Sequence, residues 1–260
     1  MCLLVLAWRA HPRYRLVVAA NRDEFHDRAA APLGPWPPPA QILGGRDLRA
    51  GGAWLALDRA RRFAVVTNYR EAQRPRAGAP SRGDLIPRFL AGGAGAREFF
   101  VQLEQQAAAY SGLNLLLADR DELWYGSNRT TPFARQLPPG VHGLSNELLD
   151  TPWPKLLRVR RAFEAWLRTP TPQAPAALFA ILADRTQSPP DSALVESGLP
   201  PELERVLSAP FVLNPVYGTR CSTVLLLDTA GAVSFSERRF EANGNLSGET
   251  EYQLKPGEWP

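Results

Sequence analysis

A cysteine stands second in the chain, and the acidic and basic run Asn21-Arg22-Asp23-Glu24 lies about twenty residues later. These residue types suit nucleophilic chemistry. The thiolate is the reactive form of cysteine, its ordinary pKa is about 8.5, and a nearby guanidinium favours it. Methionine before a residue as small as cysteine is commonly trimmed, so removal of Met1 would expose the Cys2 α-amine beside its own sulfur. An α-amine titrates near about 7.7 to 8.0, which suits a general base at neutral pH. Asp23 or Glu24 could orient that ammonium, and Arg22 could stabilise the thiolate or bind a substrate carboxylate. The plain alternative is that Cys2 is a small buried hydrophobe at the start of a strand.

The elements that must position these groups are strands. Leu3–Trp8 and Tyr14–Ala20 are apolar, β-prone runs separated by Arg9-Ala10-His11-Pro12-Arg13, and they read as a hairpin. Both runs are apolar on both faces, which implies a sheet covered on each side. A turn centred near His11 and Pro12 puts Cys2 opposite Asn21. On that register Asn21 and Asp23 share the face of Cys2, and Arg22 points the other way unless the strand bulges.

Beyond the hairpin, Ala31–Pro39 is proline-rich and reads as a loop. Gly51-Gly52 leads into a second hairpin, Ala53–Leu57 with Phe63–Asn68, and Tyr69–Ser81 is polar and loop-like. Helical periodicity marks Asp84–Leu90, Ala96–Tyr110, Lys155–Arg168 and Ala176–Leu182. Strands recur at Leu113–Ala118 and Leu123–Tyr125, and a third hairpin pairs Ser222–Asp228 with Val233–Phe240. Thr169–Pro175 is proline-rich, and Ser188–Pro215 reads as irregular, a lid or long surface loop. Strands at both ends enclosing central helices predict one α+β domain over residues 1–260, with two sheets between helical layers.

Composition narrows the functional classes. With 260 residues, 45% of them hydrophobic, the chain can bury a substantial core. Its net charge is +4, yet basic and acidic residues are interspersed, so nucleic-acid binding is not favoured. Cys2 and Cys221 form no Cys-x-x-Cys pattern, and His11, His26 and His142 are scattered, so neither a disulfide scaffold nor a metal site is expected. The apolar start is too short for a signal peptide, and no stretch reaches the about 18 apolar residues of a membrane span. The expectation is a soluble, cytoplasmic protein.

Asn21-Arg22-Asp23-Glu24, preceded by Val17-Val18-Ala19-Ala20, resembles the signature of the NRDE family, also called the transport and Golgi organisation protein 2 family. Further blocks agree in order: Gly51-Gly52-Ala53-Trp54-Leu55, Thr67-Asn68-Tyr69-Arg70, Ser81-Arg82-Gly83, Gly143-Leu144-Ser145-Asn146-Glu147 with Trp153-Pro154-Lys155, and Gly218-Thr219-Arg220. More distantly, the chain is similar to the choloylglycine hydrolase and penicillin V acylase group of N-terminal nucleophile hydrolases. That resemblance implies a four-layer αββα sandwich of two mainly antiparallel sheets. It also implies Cys2 as nucleophile, Asp23 near the α-amine, Arg22 beside the thiolate, Asn68 and Asn146 near the oxyanion, and Arg220 as a further charged member. In the acylases the early Arg and Asp are two residues apart, whereas Arg22 and Asp23 are adjacent, so Asn21 and Glu24 stand as alternatives that could bind substrate.

The residues allow plainer roles as well. Each Asn could be a turn or capping residue, and Arg220 an ordinary ion-pair partner at a strand entrance. Trp54, Trp153 and Trp166 read as core.

Three functions follow in order. The first is an amidohydrolase that cleaves a linear, non-peptide C–N bond of a small-molecule N-acyl amide through Cys2, without a cofactor. The second is a non-catalytic carrier of a small hydrophobic ligand; the family resemblance points to haem, which His26, His142 or Cys2 could ligate. The third is an interaction protein whose basic surface meets acidic partners.

Overall fold

The computed structural model describes residues 2–71, 78–169, 175–189 and 199–260. Two compact units share the chain. The first comprises Met1–Asp27, Pro139–Ser145 and Asp150–Pro256, and the second Arg28–Pro138, Asn146–Leu149 and Gly257–Pro260.

The chain opens in the first unit with β1 (Cys2–Trp8) and β2 (Tyr14–Phe25), the expected hairpin with its second strand extended through Asn21-Arg22-Asp23-Glu24. The second unit holds β3 (Ala30–Pro35), β4 (Ile42–Asp47), β5 (Leu55–Asp58) and β6 (Phe63–Asn68). Helices α1 (Leu85–Ala91) and α2 (Ala96–Glu104) follow, then β7 (Leu113–Ala118), β8 (Leu123–Ser127) and β9 (Ala134–Leu137). Back in the first unit come β10 (Gly140–Leu144), α3 (Pro154–Leu167), α4 (Pro175–Leu182) and α5 (Pro201–Leu207). The last strands are β11 (Tyr217–Asp228), β12 (Val233–Phe240) and β13 (Leu246–Leu254).

Each unit is one antiparallel sheet with helices packed against it, so the α+β class holds. The first sheet runs β10-β1-β2-β11-β12-β13 and the second β3-β4-β5-β6-β7-β8-β9. In the first unit Leu3, Val5, Ala7, Val17, Ala19, Val224 and Leu226 form one core with Leu156, Val159 and Phe163 of α3 and Leu178 and Leu182 of α4. Their alternation defines the helix-covered face; Leu4, Leu6 and Val18 on the opposite face are buried as well. Pro154 opens α3, where its missing N–H costs nothing, and Leu156, Val159, Phe163 and Trp166 recur at helical spacing on its buried side. The core placement expected of Trp153 and Trp166 is observed; Trp54 is half-buried.

In the second unit Leu85, Ile86 and Phe89 of α1 and Phe99, Phe100 and Leu103 of α2 pack on Ala56, Ala64, Leu115 and Leu117. Two glycine blocks meet there. A Cβ on Gly52 would collide with the Gly83 carbonyl, and the Ala53 N–H donates to Gly83 O at 3.1 Å, so backbone touches backbone.

Several expectations are corrected. Ala30–Pro35 is a strand, not a loop, because Pro32 lies in an edge strand whose ladder with β4 is broken between Ala31 and Gly34. The helix expected to reach Tyr110 stops at Glu104, and a separate 3₁₀ turn follows at Ala107–Ala109. The stretch expected to be irregular contains α5. Its residues 190–198, with 72–77 and 170–174 of the two other expected loops, lie outside the described residues. Strands β4, β9, β10 and β13 lack strong periodic signals and were not expected.

Candidate functional site

Six of the eight expected site residues gather in the first unit. Cys2, half-buried at the head of β1, faces Arg22 directly, not Asn21, so the register differs by one residue from the expected one. The slip exchanges the faces. Arg22 lies between Cys2 of β1 and Cys221 of β11, with Arg239 of β12 next in the same row. Asn21 turns to the helix-covered face, where its Nδ2 donates to Leu182 O and Pro210 O, both at 2.9 Å, and its Oδ1 accepts from Ser222 Oγ at 2.6 Å. Such use of every polar atom makes Asn21 a buried peg that ties the end of α4 to the sheet.

The β2–β11 ladder bulges beside the thiol. Thr219 pairs with Asp23 and Cys221 with Arg22, which leaves Arg220 as the extra residue. The bulge re-aims Arg220, whose Nη1 donates to Phe25 O and His26 O, each at 2.9 Å. Arg220 thus caps the chain where it leaves β2. Asp23 is 2% exposed; its Oδ1 accepts from Thr219 Oγ1 at 2.7 Å and its backbone carbonyl from Tyr217 OH at 2.8 Å. Glu24 accepts from the Phe25 N–H at 3.0 Å and lies 3.9 Å from the Arg22 guanidinium. Just past β10, Ser145 Oγ donates to the Cys2 carbonyl at 3.0 Å.

Electrostatics departs from the expectation of a lowered thiol pKa. Burial pushes the Cys2 thiol up; the terminal ammonium of the unprocessed chain, one residue before Cys2, opposes this, the Asp23 charge reinforces it, and the Asp23 N–H and Arg22 pull it down without prevailing. Desolvation outweighs the guanidinium because the thiolate loses its hydration. Burial also raises the Asp23 carboxyl, against the terminal ammonium, Lys155, the Thr219 hydroxyl and Arg22. Cys221 is pushed well above the ordinary thiol range by burial and by Glu237. Cys2 is therefore a protonated thiol among groups that could accept its proton.

The second unit holds Asn68 and Asn146, joined to each other. Asn146 Nδ2 donates to Asn68 Oδ1 at 2.8 Å and to Asn68 O at 3.1 Å, while the Arg70 N–H donates to Asn146 O at 2.6 Å. The segment Asn146–Leu149 is strapped to the sheet below. Asn114 Nδ2 donates to Glu147 O at 2.9 Å, Tyr125 OH donates to Asn114 Oδ1 at 2.7 Å, and the Leu149 N–H donates to Tyr125 OH at 3.2 Å. Asn114, Tyr125, Ser145, Thr219 and Ser222 were not singled out from sequence. Each lies in or beside an apolar strand, where one polar residue carries no local signal.

The groups considered for iron are engaged. His26 Nε2 meets Asn214 O at 3.0 Å and His142 Nδ1 meets Asp150 Oδ2 at 3.3 Å. Among the described residues no group of three or more His, Cys, Asp and Glu is placed to hold a metal ion, and no helix is long and apolar enough to cross a membrane.

Comparison with known proteins follows the same residues. The chain is 34% identical over 257 residues to the Transport and Golgi organization protein 2 homolog of Bos taurus, and equally to that of Homo sapiens; 92% of each chain is covered. It is 24% identical over 286 residues to the Drosophila melanogaster protein, covering all of this chain and 95% of that one. Among solved structures it aligns with the C2A mutant of conjugated bile acid hydrolase from Clostridium perfringens at TM-score 0.47 and 9% identity, over 98% of this chain and 92% of that chain. Another is a Caenorhabditis elegans ortholog of N-acylethanolamine-hydrolyzing acid amidase, at TM-score 0.42 and 10% identity, over 86% of this chain and 92% of that chain. The family pattern described as Transport and Golgi organisation 2 matches residues 1–242, and the chain belongs to that family.

Proposed function

We propose that this protein is an amidohydrolase that cleaves the C–N bond of a small-molecule N-acyl amide, with the Cys2 thiol as nucleophile once Met1 is removed. The observation that carries the reading is the surroundings of Cys2. Its carbonyl is held by Ser145, its sulfur receives the Asp23 N–H, its side chain stands across from Arg22, and the Asp23 carboxylate acts on it electrostatically.

A thiol kept protonated by burial needs a base at the moment of attack, and the α-amine of a processed Cys2 is covalently adjacent. The amine takes the thiol proton as sulfur bonds to the substrate carbonyl carbon. The tetrahedral species collapses with loss of the C–N bond, and the ammonium returns its proton to the departing nitrogen. Water, deprotonated by the same amine, then attacks the thioester; the acid leaves and the thiol is restored. No cofactor takes part in these steps.

The test is incubation of processed protein with a panel of N-acyl amides, with mass analysis of the N-terminal peptide. An acyl adduct on Cys2, absent from Cys2→Ala, with release of amine is expected. Neither adduct nor turnover across the panel would overturn the reading.

One observation favours a second reading, carriage of a small hydrophobic ligand. Phe25 and Val216 are 51% and 65% exposed, and the His26 N–H bonds to Val216 O at 3.0 Å, so an apolar lip stands at the end of β2. Haem titration followed at the Soret band tests the haem version; unchanged spectra exclude it.

A further inference from the structure

Gly218 and Thr219 stand just before the bulge at Arg220, and the chain at Val212 folds back on them. A Cβ on Gly218 would come within 2.8 Å of Val212 O and 3.2 Å of the His26 ring, so glycine lets that carbonyl in. Val212 O accepts from the Thr219 N–H at 2.9 Å, and the Val212 N–H donates to Thr219 Oγ1 at 2.8 Å. The second bond decides where the hydroxyl points. A hydroxyl has one hydrogen; with an amide donor on its oxygen, that hydrogen goes to Asp23 Oδ1 at 2.7 Å, because a carboxylate only accepts. Accepting one bond also strengthens the bond given. Thr219 is 1% exposed, at a strand position where valine would fill the same volume without burying a hydroxyl.

Asp23 is thus gripped by β11 at two points, the second being Tyr217 OH, which donates to its backbone carbonyl at 2.8 Å. Strand β11 flanks β2 on one side and β1, which carries Cys2, flanks it on the other. Burial works against a charge on Asp23, and the Thr219 hydroxyl works for it.

We propose that Thr219 is a positioning residue of the nucleophile site: its hydroxyl, aimed by the Val212 N–H, holds the Asp23 carboxylate from the β11 side, so that Asp23 can hold the α-amine of processed Cys2. The inference rests on the N-terminal nucleophile reading for its purpose. The hold of Thr219 on Asp23 is tested without any substrate.

The experiment compares processed wild type, Thr219→Ser, Thr219→Val and Asp23→Asn by pH-difference infrared spectroscopy. It reads the carbonyl stretch of protonated Asp23, identified by its loss in Asp23→Asn. In Thr219→Val the band should rise in frequency and persist to a pH about one unit or more higher than in wild type. Thr219→Ser, which keeps the hydroxyl, should keep the wild-type band. The pH profile of Cys2 alkylation by iodoacetamide should follow, with Thr219→Val displaced in the same direction as Asp23→Asn and Thr219→Ser at wild type. An unshifted band or profile in Thr219→Val overturns the proposal, and so does a Thr219→Ser chain that behaves as Thr219→Val. Wild type carries its own test if Thr219→Val does not fold. The Thr219 hydroxyl proton, assigned by its proximity to the Thr219 methyl group, should be protected from solvent and visible by proton NMR at neutral pH. It should move upfield in Asp23→Asn. A proton lost to rapid exchange, or one unmoved by Asp23→Asn, is likewise a refutation. A protein that hydrolyses no amide leaves all these readouts intact, and one that hydrolyses amides with the Asp23 band unmoved loses only the role of Thr219.

Discussion

Ser145 Oγ donates a 3.0 Å hydrogen bond to the carbonyl of Cys2, so the residue just past β10 adds a side-chain hold on the head of β1 to that of the ladder. The β1–β10 register runs from Leu4↔Leu144 to Trp8↔Gly140, and Cys2 lies beyond it. The hydroxyl extends that hold to the residue proposed to react.

Ser145→Ala should lower stability by about 1 kcal/mol, the usual net worth of one hydrogen bond. It should also speed alkylation of Cys2 as the strand end frays. Urea unfolding and the alkylation rate check both; equal values in the two proteins would deny Ser145 this role.

Asn21→Leu should cost more, about 3 kcal/mol, because it leaves Leu182 O, Pro210 O and Ser222 Oγ without the amide that now serves them. Chemical denaturation is the measure. A loss no larger than that of an exposed substitution would mean that water replaces the peg.

Tyr125→Phe removes a hydroxyl that donates to Asn114 Oδ1 and accepts from the Leu149 N–H. The expected loss is about 1 to 3 kcal/mol, with faster proteolysis within Asn146–Leu149. Unaltered cleavage would show that Asn114 and Asn68 hold this segment unaided.

The pH dependence rests on Asp150. Burial works to raise its carboxyl, but bonds from His142 and the Gly143 N–H, with the charges of His142 and Arg160, hold it below its ordinary value of 3.8. A carboxyl depressed in the folded state adds stability above its unfolded pKa and loses it as pH falls through the folded pKa. Asp150 has φ 62°, a conformation asparagine tolerates, so Asp150→Asn isolates the charge. Wild type should be more stable than the variant at neutral pH, and the difference should shrink as pH falls below 3.8. A gap independent of pH, from urea unfolding at several pH values, would refute the assignment.

Intact-mass measurement should find the chain lighter by one methionine residue. A retained Met1 would leave Cys2 without its own α-amine and overturn the proposed general base.

Much of this molecule is legible residue by residue. The three expected hairpins, the α+β class and the blocks that place the chain in its family follow from local runs of β-prone residues and from short ordered motifs. Cys2, Arg22, Asp23 and Arg220 could be named because their chemistry stands out in sequence. Their arrangement could not be. A strand apolar on both faces has no polar alternation to pin its register, so the pairing of Cys2 with Arg22 instead of Asn21 was left to turn geometry and packing. That single step decided which face Asn21 serves and which groups surround the thiol. The bulge at Arg220, the edge strand through Pro32 and the bond from Thr219 to Asp23 depend on which elements become neighbours. Burial in turn reversed the expected direction of the Cys2 shift, since desolvation is a property of the packed chain and of no residue taken alone.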